Sequence, residues 1–335
     1  MMTLRRVLIA AALVAVALAT ATVIGTHWLL FRTLENPTLD FEVTAGSSAS
    51  RVLAELAEVG LMPSPVAGRV YLALRGRGRS FHYGHYRFDA AMRPVDVLER
   101  ILDGRVETVT ITVVEGSLAS EIAELCADAG FGTRAGWQRF ISSPGWISDL
   151  APEAPSLEGF LFPDSYRFAI GLPAEGVARH MVERFRTVWQ EETAAGEDLW
   201  GSPFEVVVLA SLVEAETSLP EERPRVAGVF VNRLRRGMLL QCDPTVVYGL
   251  KRRGEWTGRL LRRHWLLEDP YNTYRFGGLP PGPINSPGRQ ALAAAIEPED
   301  HSYLYFVARP GGGHSFSRTL AEHNRAVARL RQSRR

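Results

Sequence analysis

Between Arg6 and Arg32 the chain carries no Asp, Glu, Lys or Arg. At about 1.5 Å per residue, roughly 20 helical residues cross a ~30 Å hydrocarbon core, so the run from Val7 to Phe31 predicts one membrane-spanning helix. A cleavable signal has a shorter apolar region, about 7–15 residues, which favours a retained anchor over cleavage near Ala17-Leu18-Ala19. Basic residues stay on the cytoplasmic side, and Arg5 and Arg6 precede the run. The expectation is a single-pass protein of the cytoplasmic (inner) membrane, N-terminus in, with the remainder periplasmic or otherwise extracytoplasmic.

That remainder is ordinary globular sequence: the 335 residues are 46% hydrophobic and 22% charged, enough for two or three cores. With 38 basic against 37 acidic residues and a net charge of +1, no overall field attracts a polyanion, and nucleic acid is excluded as a partner. Of the two cysteines, Cys126 lies at helical spacing with Leu118, Ile122 and Leu125, as a buried apolar residue would. Cys242 is in a distant segment, so a disulfide between them is the less favoured reading.

An internal repeat organises the first half. Phe41-Glu-Val-Thr, Gly46 and a helical pattern through Val52, Leu53, Leu56 and Val59 end at Gly60. Seventy residues on, Val109, Ile111 and Val113 alternate with threonines, and Gly116-Ser117-Leu118-Ala119-Ser120 matches Gly46-Ser47-Ser48-Ala49-Ser50, with Gly130 in the place of Gly60. Between the copies, helices are expected over Pro65–Leu74 and Pro94–Leu102, with aromatic residues Phe81, Tyr83, Tyr86 and Phe88 serving either a core or a sugar-binding face. The stretch from Gly130 to Gly201 reads as loop-rich around Trp137 and Trp146, then as an amphipathic helix carrying Val177, Met181, Phe185 and Val188. Glu158-Gly159-Phe160-Leu161-Phe162-Pro163-Asp164 either walls a cleft or packs a corner. The fold class is α+β: a transmembrane anchor over 1–36, a small α+β module over 37–108, and a larger mixed α/β domain over 109–335 that includes a connecting lobe at 131–200.

Chemistry concentrates after Phe204. The nearly all-apolar run to Val213 predicts a buried helix, and at 100° per residue Glu216 falls on the stripe of Leu209, Leu212 and Val213, with Glu214 turned well away. A carboxylate on such a stripe either has a cationic partner or has a raised pKa, which suits a general acid. Arg223, Arg225 and Arg233 are the available partners. Ser218 and Glu221 are spaced as a capping box for the next helix, whose stripe is Val226, Phe230 and Leu234. Asp243-Pro244 reads as a helix N-cap followed by its first residue, and Asp243 is also a candidate second carboxylate. The proline-dense loop from Gly278 to Gly288 offers rigid amides and hydroxyls suited to sugar recognition. No Gly-x-Ser-x-Gly, His-Glu-x-x-His or Gly-x-x-x-x-Gly-Lys occurs, which removes serine hydrolases, zincins and nucleotide enzymes. No cofactor is expected, and no metal is expected at His301, His314 and His323, whose spacing fits no standard site.

Leu-Ala-Ser-Leu-Val-Glu-Ala-Glu-Thr at 209–217, Val-Phe-Val-Asn-Arg-Leu at 229–234, Gln-Cys-Asp-Pro-Thr-Val-Val-Tyr-Gly at 241–249, Tyr-Asn-Thr-Tyr at 271–274 and Gly-Leu-Pro-Pro-Gly-Pro-Ile at 278–284 together resemble the endolytic murein transglycosylase, or YceG-like, family. Tyr-Leu-Tyr-Phe-Val-Ala at 303–308, Gly-Gly-His-Ser-Phe-Ser at 312–317 and, upstream, Glu115-Gly116 and the segment at 158–164 extend the match. Cys242, where a polar residue is common in the family, and Ser286 are departures. The resemblance implies a module similar to the LysM fold over 37–108 and a catalytic role for the second Glu of Glu-x-Glu, which is Glu216. It also implies cleavage of peptidoglycan glycan strands to 1,6-anhydro ends, with glycan polymerases and penicillin-binding proteins as partners. Expected substrate-binding residues are Gln241, Asp243, Thr245, Tyr248, Asn272, Thr273, Tyr274 and Asn285. The rivals are a lysozyme-type hydrolase using Glu216 and Asp243, and a non-catalytic wall-binding scaffold.

Overall fold

The computed structural model describes residues 2–34, 38–75, 81–89, 91–194 and 200–333. The boundary expected at 36/37 lies outside the described residues. The chain divides into two compact units, Met1–Val109 with Arg167–Leu172, and Thr110–Tyr166 with Pro173–Arg335.

The first unit begins with α1 (Met2–Phe31), whose segment Arg5–Phe31 has mean hydropathy 2.7 in its most apolar window and none of that window buried. It is long and apolar enough to cross a membrane. After it come β1 (Leu39–Val43), α2 (Ala49–Glu58), α3 (Pro65–Leu74), β2 (Gly84–Phe88) and α4 (Pro94–Leu102). β1 and β2 pair antiparallel, from Leu39 opposite Phe88 to Val43 opposite Gly84. The apolar stripes of α2 and α4 close over this hairpin, burying Val52, Leu53 and Leu56 with Val97, Leu98 and Ile101. Leu30, near the end of α1, joins the same core. Tyr86 and Phe88 are fully buried there, which makes them core residues; Tyr83 alone of the aromatic group stands open, at 64% exposure.

β3 (Thr108–Thr112) pairs with β4 (Ser165–Ala169), and the division between the units falls within these strands. α5 (Ala119–Asp128) follows β3 as α2 follows β1. The repeat seen in the sequence is structural: Gly46 and Gly116 take φ of +79° and +81° at the turn before each helix, and Gly60 and Gly130 take +79° and +89° after it, a conformation that favours glycine. α5 buries Ala119, Ile122, Ala123 and Cys126, whereas Leu125 faces solvent, so the inward stripe is one step round from the expected one. The next stretch departs from the loop-rich expectation. α6 (Arg134–Ile141) is capped by the Thr133 hydroxyl, which accepts from Gly136 N, and it buries Trp137 completely. α7 (Ala174–Glu192) buries Val177, Met181, Phe185 and Val188 as its spacing predicts.

α8 (Pro203–Glu216) is the central helix, buried continuously from Val206 to Val213, with packing against α9 (Arg223–Arg235), α10 (Asp243–Arg252) and α11 (Arg289–Ile296). A capping box formed by Ser202 and Glu205 starts it. β5 (Tyr305–Ala308) and β6 (His314–Ser317) form an antiparallel hairpin, and α12 (Leu320–Ser333) packs on it.

Two helix starts differ from expectation. The Ser218 and Glu221 capping box does not form: the Thr217 hydroxyl takes Leu219 N–H, residues Pro220–Glu222 make one 3-10 turn, and α9 opens at Arg223. The signal was Pro224, which needs no partner for a missing N–H and so suits a first turn. At α10 the cap is Cys242, and Asp243 is the first helical residue, leaving its carboxylate for side-chain partners.

Candidate active site

Glu216 is the last residue of α8, so the apolar helix delivers its carboxyl to the floor of a cavity of about 330 Å³. Phe230 and Arg233 of α9, Gln241 and Asp243 at the start of α10, Tyr274, Tyr305 and Phe306 of β5, and Leu320 and His323 of α12 complete the walls. The volume suits a ring-sized ligand group.

Glu216 has no ion-pair partner among the described residues. Each arginine available to it is taken elsewhere. Arg223 binds Glu214 at 2.9 Å, Arg225 binds Glu299 at 3.0 Å, and Arg233 donates to the carbonyls of Leu304, Leu239 and Leu240. Glu214 does turn away from the pocket, yet it is buried: its side chain is 7% exposed, against Arg223 at 5%, and it also accepts from Gly288 N.

The contact Glu216 does make is with Cys242, whose Sγ lies 3.1 Å from Oε1. Burial and the neighbouring carboxylate hold the thiol well above its usual range, so it stays protonated and donates. Burial also raises the Glu216 pKa; the thiol pulls it back, Asp243 pushes it up, and His314 and Arg233 pull it down. Its position at a helix C-terminus disfavours the anion further. The outcome is a carboxyl that holds its proton more firmly than a free glutamic acid.

The turn carrying Cys242 is tightly specified. Gln241 takes φ of +51°, uncommon for a residue with a Cβ, and its N–H is held by Thr273 O. Behind it runs a closed ring of hydrogen bonds. Cys242 N donates to Thr273 Oγ1 at 3.0 Å, Thr273 Oγ1 lies 3.0 Å from Thr245 Oγ1, and Thr245 Oγ1 donates to Cys242 O at 2.7 Å. These buried hydroxyls aim the thiol at Glu216.

A second cavity, about 370 Å³, is lined by residues that include Ser120, Gln138, Ser142, Glu158, Tyr248 and Lys251. Glu158, 8% exposed, accepts from Ala119 N in the first turn of α5 and from the Tyr248 hydroxyl, and burial pushes its pKa up to about 7.

The YceG-like family model matches residues 41–329, nearly everything beyond α1. This chain belongs to the YceG-like family. A relative from Bacillus subtilis (strain 168), named endolytic murein transglycosylase, is 29% identical over 91% of this chain and 90% of its own length. A relative of the same name from Streptococcus pneumoniae (strain D39) is 26% identical over 85% of this chain, which spans 57% of that longer protein. The crystal structure of a yceG-like protein from Listeria monocytogenes aligns with a TM-score of 0.56 and 28% identity, covering 87% of this chain and 99% of that one.

Within this YceG-like site, Glu216, Gln241, Asp243 and Tyr274 come together around one cavity. Thr245 and Thr273 lie one layer behind it, in the ring that holds Cys242. Asn272 is buried, donating to the carbonyls of Trp265 and Leu267 and accepting from Tyr274 N. Tyr248 faces the Glu158 cavity, and Asn285 is fixed to α8 through Ser211 O, so neither lines the Glu216 pocket. His301, His314 and His323 go to three different environments: Arg225 O, Glu222 and the Tyr305 ring. Sequence reasoning missed Cys242 as a donor, Arg233, Tyr305 and His323 as walls, and Trp265. Only the position of Cys242 beside Asp243-Pro244 offered a local signal.

Proposed function

We propose that the chain is an endolytic lytic transglycosylase, cutting the β-1,4 bond between N-acetylmuramic acid and N-acetylglucosamine within peptidoglycan strands. The observation that carries the mechanism is the setting of Glu216: half-buried, without an ion-pair partner among the described residues, and lining a cavity. Protonated Glu216 donates to the glycosidic oxygen as the bond to C1 breaks. The resulting carboxylate takes the proton of the muramic acid 6-hydroxyl while that oxygen closes on C1, leaving a 1,6-anhydro end. No water is consumed, so one carboxyl serves twice. A hydrolase would need a second carboxyl to activate water. Asp243, the nearest candidate, has one oxygen committed to the Trp265 indole and the Tyr274 phenol at 3.0 and 2.7 Å. Gln241, Asp243 and Tyr274 contact the sugar, with Thr245, Thr273 and Asn272 supporting them from behind.

In this reading α1 anchors the protein in the cytoplasmic membrane, N-terminus inside, and the enzyme meets nascent strands beside the glycan polymerases that make them. Residues 37–108 form the LysM-like module, a reading supported by the strand–helix–helix–strand order of β1, α2, α3 and β2 with the strands paired antiparallel. The test is digestion of purified sacculi with the wild type and Glu216→Gln, with mass spectrometry of the released ends. Anhydro ends from the wild type and none from the variant are expected. Reducing ends would establish hydrolysis, and equal cutting by the variant would remove Glu216 from the reaction.

A further inference from the structure

Trp265 and Tyr274 form a pair outside the hydrophobic cores. Their ring centroids are 5.5 Å apart with planes inclined by 24°. Both are half-buried, and the residues beside them in sequence include the exposed apolar Leu266 and Phe276. The pair is pinned at both ends. Asn272 Nδ2 donates to Trp265 O and Asn272 Oδ1 accepts from Tyr274 N, which fixes the two backbones. Asp243 Oδ1 accepts from Trp265 Nε1 and from the Tyr274 hydroxyl, which fixes the two ring tips. Burial and the bond to Asp243 raise the Tyr274 pKa, so the phenol stays a donor.

An exposed carboxylate that spends one oxygen ordering two aromatic rings is a costly way to hold a surface loop, unless the rings and the other oxygen serve a ligand. Asp243 Oδ2 takes no hydrogen bond among the described residues, and Asp243 and Tyr274 both line the Glu216 cavity. The chemistry that fits is a neutral pyranose bearing an acetamido group. Its C–H face lies on an aromatic ring, and its N–H or hydroxyl reaches a carboxylate oxygen.

We propose that Trp265, Tyr274 and Asp243 form a sugar subsite at the rim of the Glu216 pocket, which grips the N-acetylated glycan strand next to the bond being cut. The proposal rests on the transglycosylase reading and names where that substrate is held. Asp243 is then a positioning and recognition group, and Trp265 is the residue that sets affinity for the polymer.

The test uses the full chain in detergent micelles. In a Glu216→Gln background, which prevents turnover, β-1,4-linked N-acetylglucosamine oligomers and uncrosslinked glycan strands are titrated by calorimetry against the parent and Trp265→Ala. Loss of the ring should weaken binding about tenfold or more. With Glu216 present, the same change should raise KM with kcat and the pH profile little altered. As a second readout, glycan should change the tryptophan emission of the parent but not of Trp265→Phe, a variant that keeps a ring in place. Unchanged affinity in Trp265→Ala, or an emission change that persists in Trp265→Phe, overturns the subsite. If Glu216→Gln still cuts strands, the acid assignment fails while the binding result stands apart from it.

Discussion

Glu158 makes the stability of this protein depend on pH in a direction opposite to that of most carboxylates. Burial raises its pKa from 4.5 to about 7 in the folded chain. Between those values the folded state holds a proton that the unfolded state has released, so stability falls as pH rises through the interval and levels off above it. At about 1.36 kcal/mol per pKa unit, the total is roughly 3 kcal/mol. Glu158→Gln keeps an oxygen for Ala119 N–H and carries no charge, so it should remove this dependence. The assay is thermal or denaturant unfolding of wild type and variant in micelles, from pH 5 to 8, followed by near-ultraviolet circular dichroism. The variant should gain on the wild type steadily to about pH 7, with each kcal/mol worth about 2–4 °C for a unit of this size. Parallel curves would mean that Glu158 stays ionised when folded and that Ala119 N–H and Tyr248 compensate its burial in full.

Three further outcomes follow from the site and its supports. Removing the thiol donor with Cys242→Ala should raise the Glu216 pKa and carry the alkaline limb of cutting activity to higher pH, whereas Cys242→Ser, a stronger donor, should carry it lower; superimposed limbs would show that the 3.1 Å contact does not tune the acid. Breaking the buried Glu214–Arg223 pair with Arg223→Met should destabilise the protein by about 3–5 kcal/mol in equilibrium unfolding, because Glu214 would be left buried without its cation. Gly159→Ala places a Cβ 2.6 Å from Pro283 at a φ of +86°, and unfolding should register a loss on the order of 2–4 kcal/mol.

What the sequence made legible was whatever rests on period and local chemistry. The repeat, the stripes of α2, α4 and α7, and the helix bounds Pro65–Leu74 and Pro94–Leu102 all depend on residues close in the chain. The same helical arithmetic separated Glu216 from Glu214 and sent them to different neighbours. It could not say which arginine each would meet, since Arg223 and Arg233 are three turns apart on one helix and only packing decides. Nor could it show that Glu222, at the turn that replaces the Ser218 box, would meet His314, whose N–H and Nδ1 it accepts from at 2.9 and 2.7 Å across about ninety residues. Trp265 stayed hidden because nothing in its own segment marks it, and Cys242, although it stands beside Asp243-Pro244, shows nothing locally of its contact with Glu216. Their roles arise where the start of α10 meets the loop carrying Thr273 and Tyr274.

The carboxyl proposed as the acid hangs from α8, a helix enclosed from Val206 to Val213, while the surrounding wall is assembled from α9, a turn, a loop, a hairpin and α12. In the proposed reaction, accommodation of successive sugars along a polymer therefore falls to the wall, around a proton donor that keeps a single position from one cut to the next.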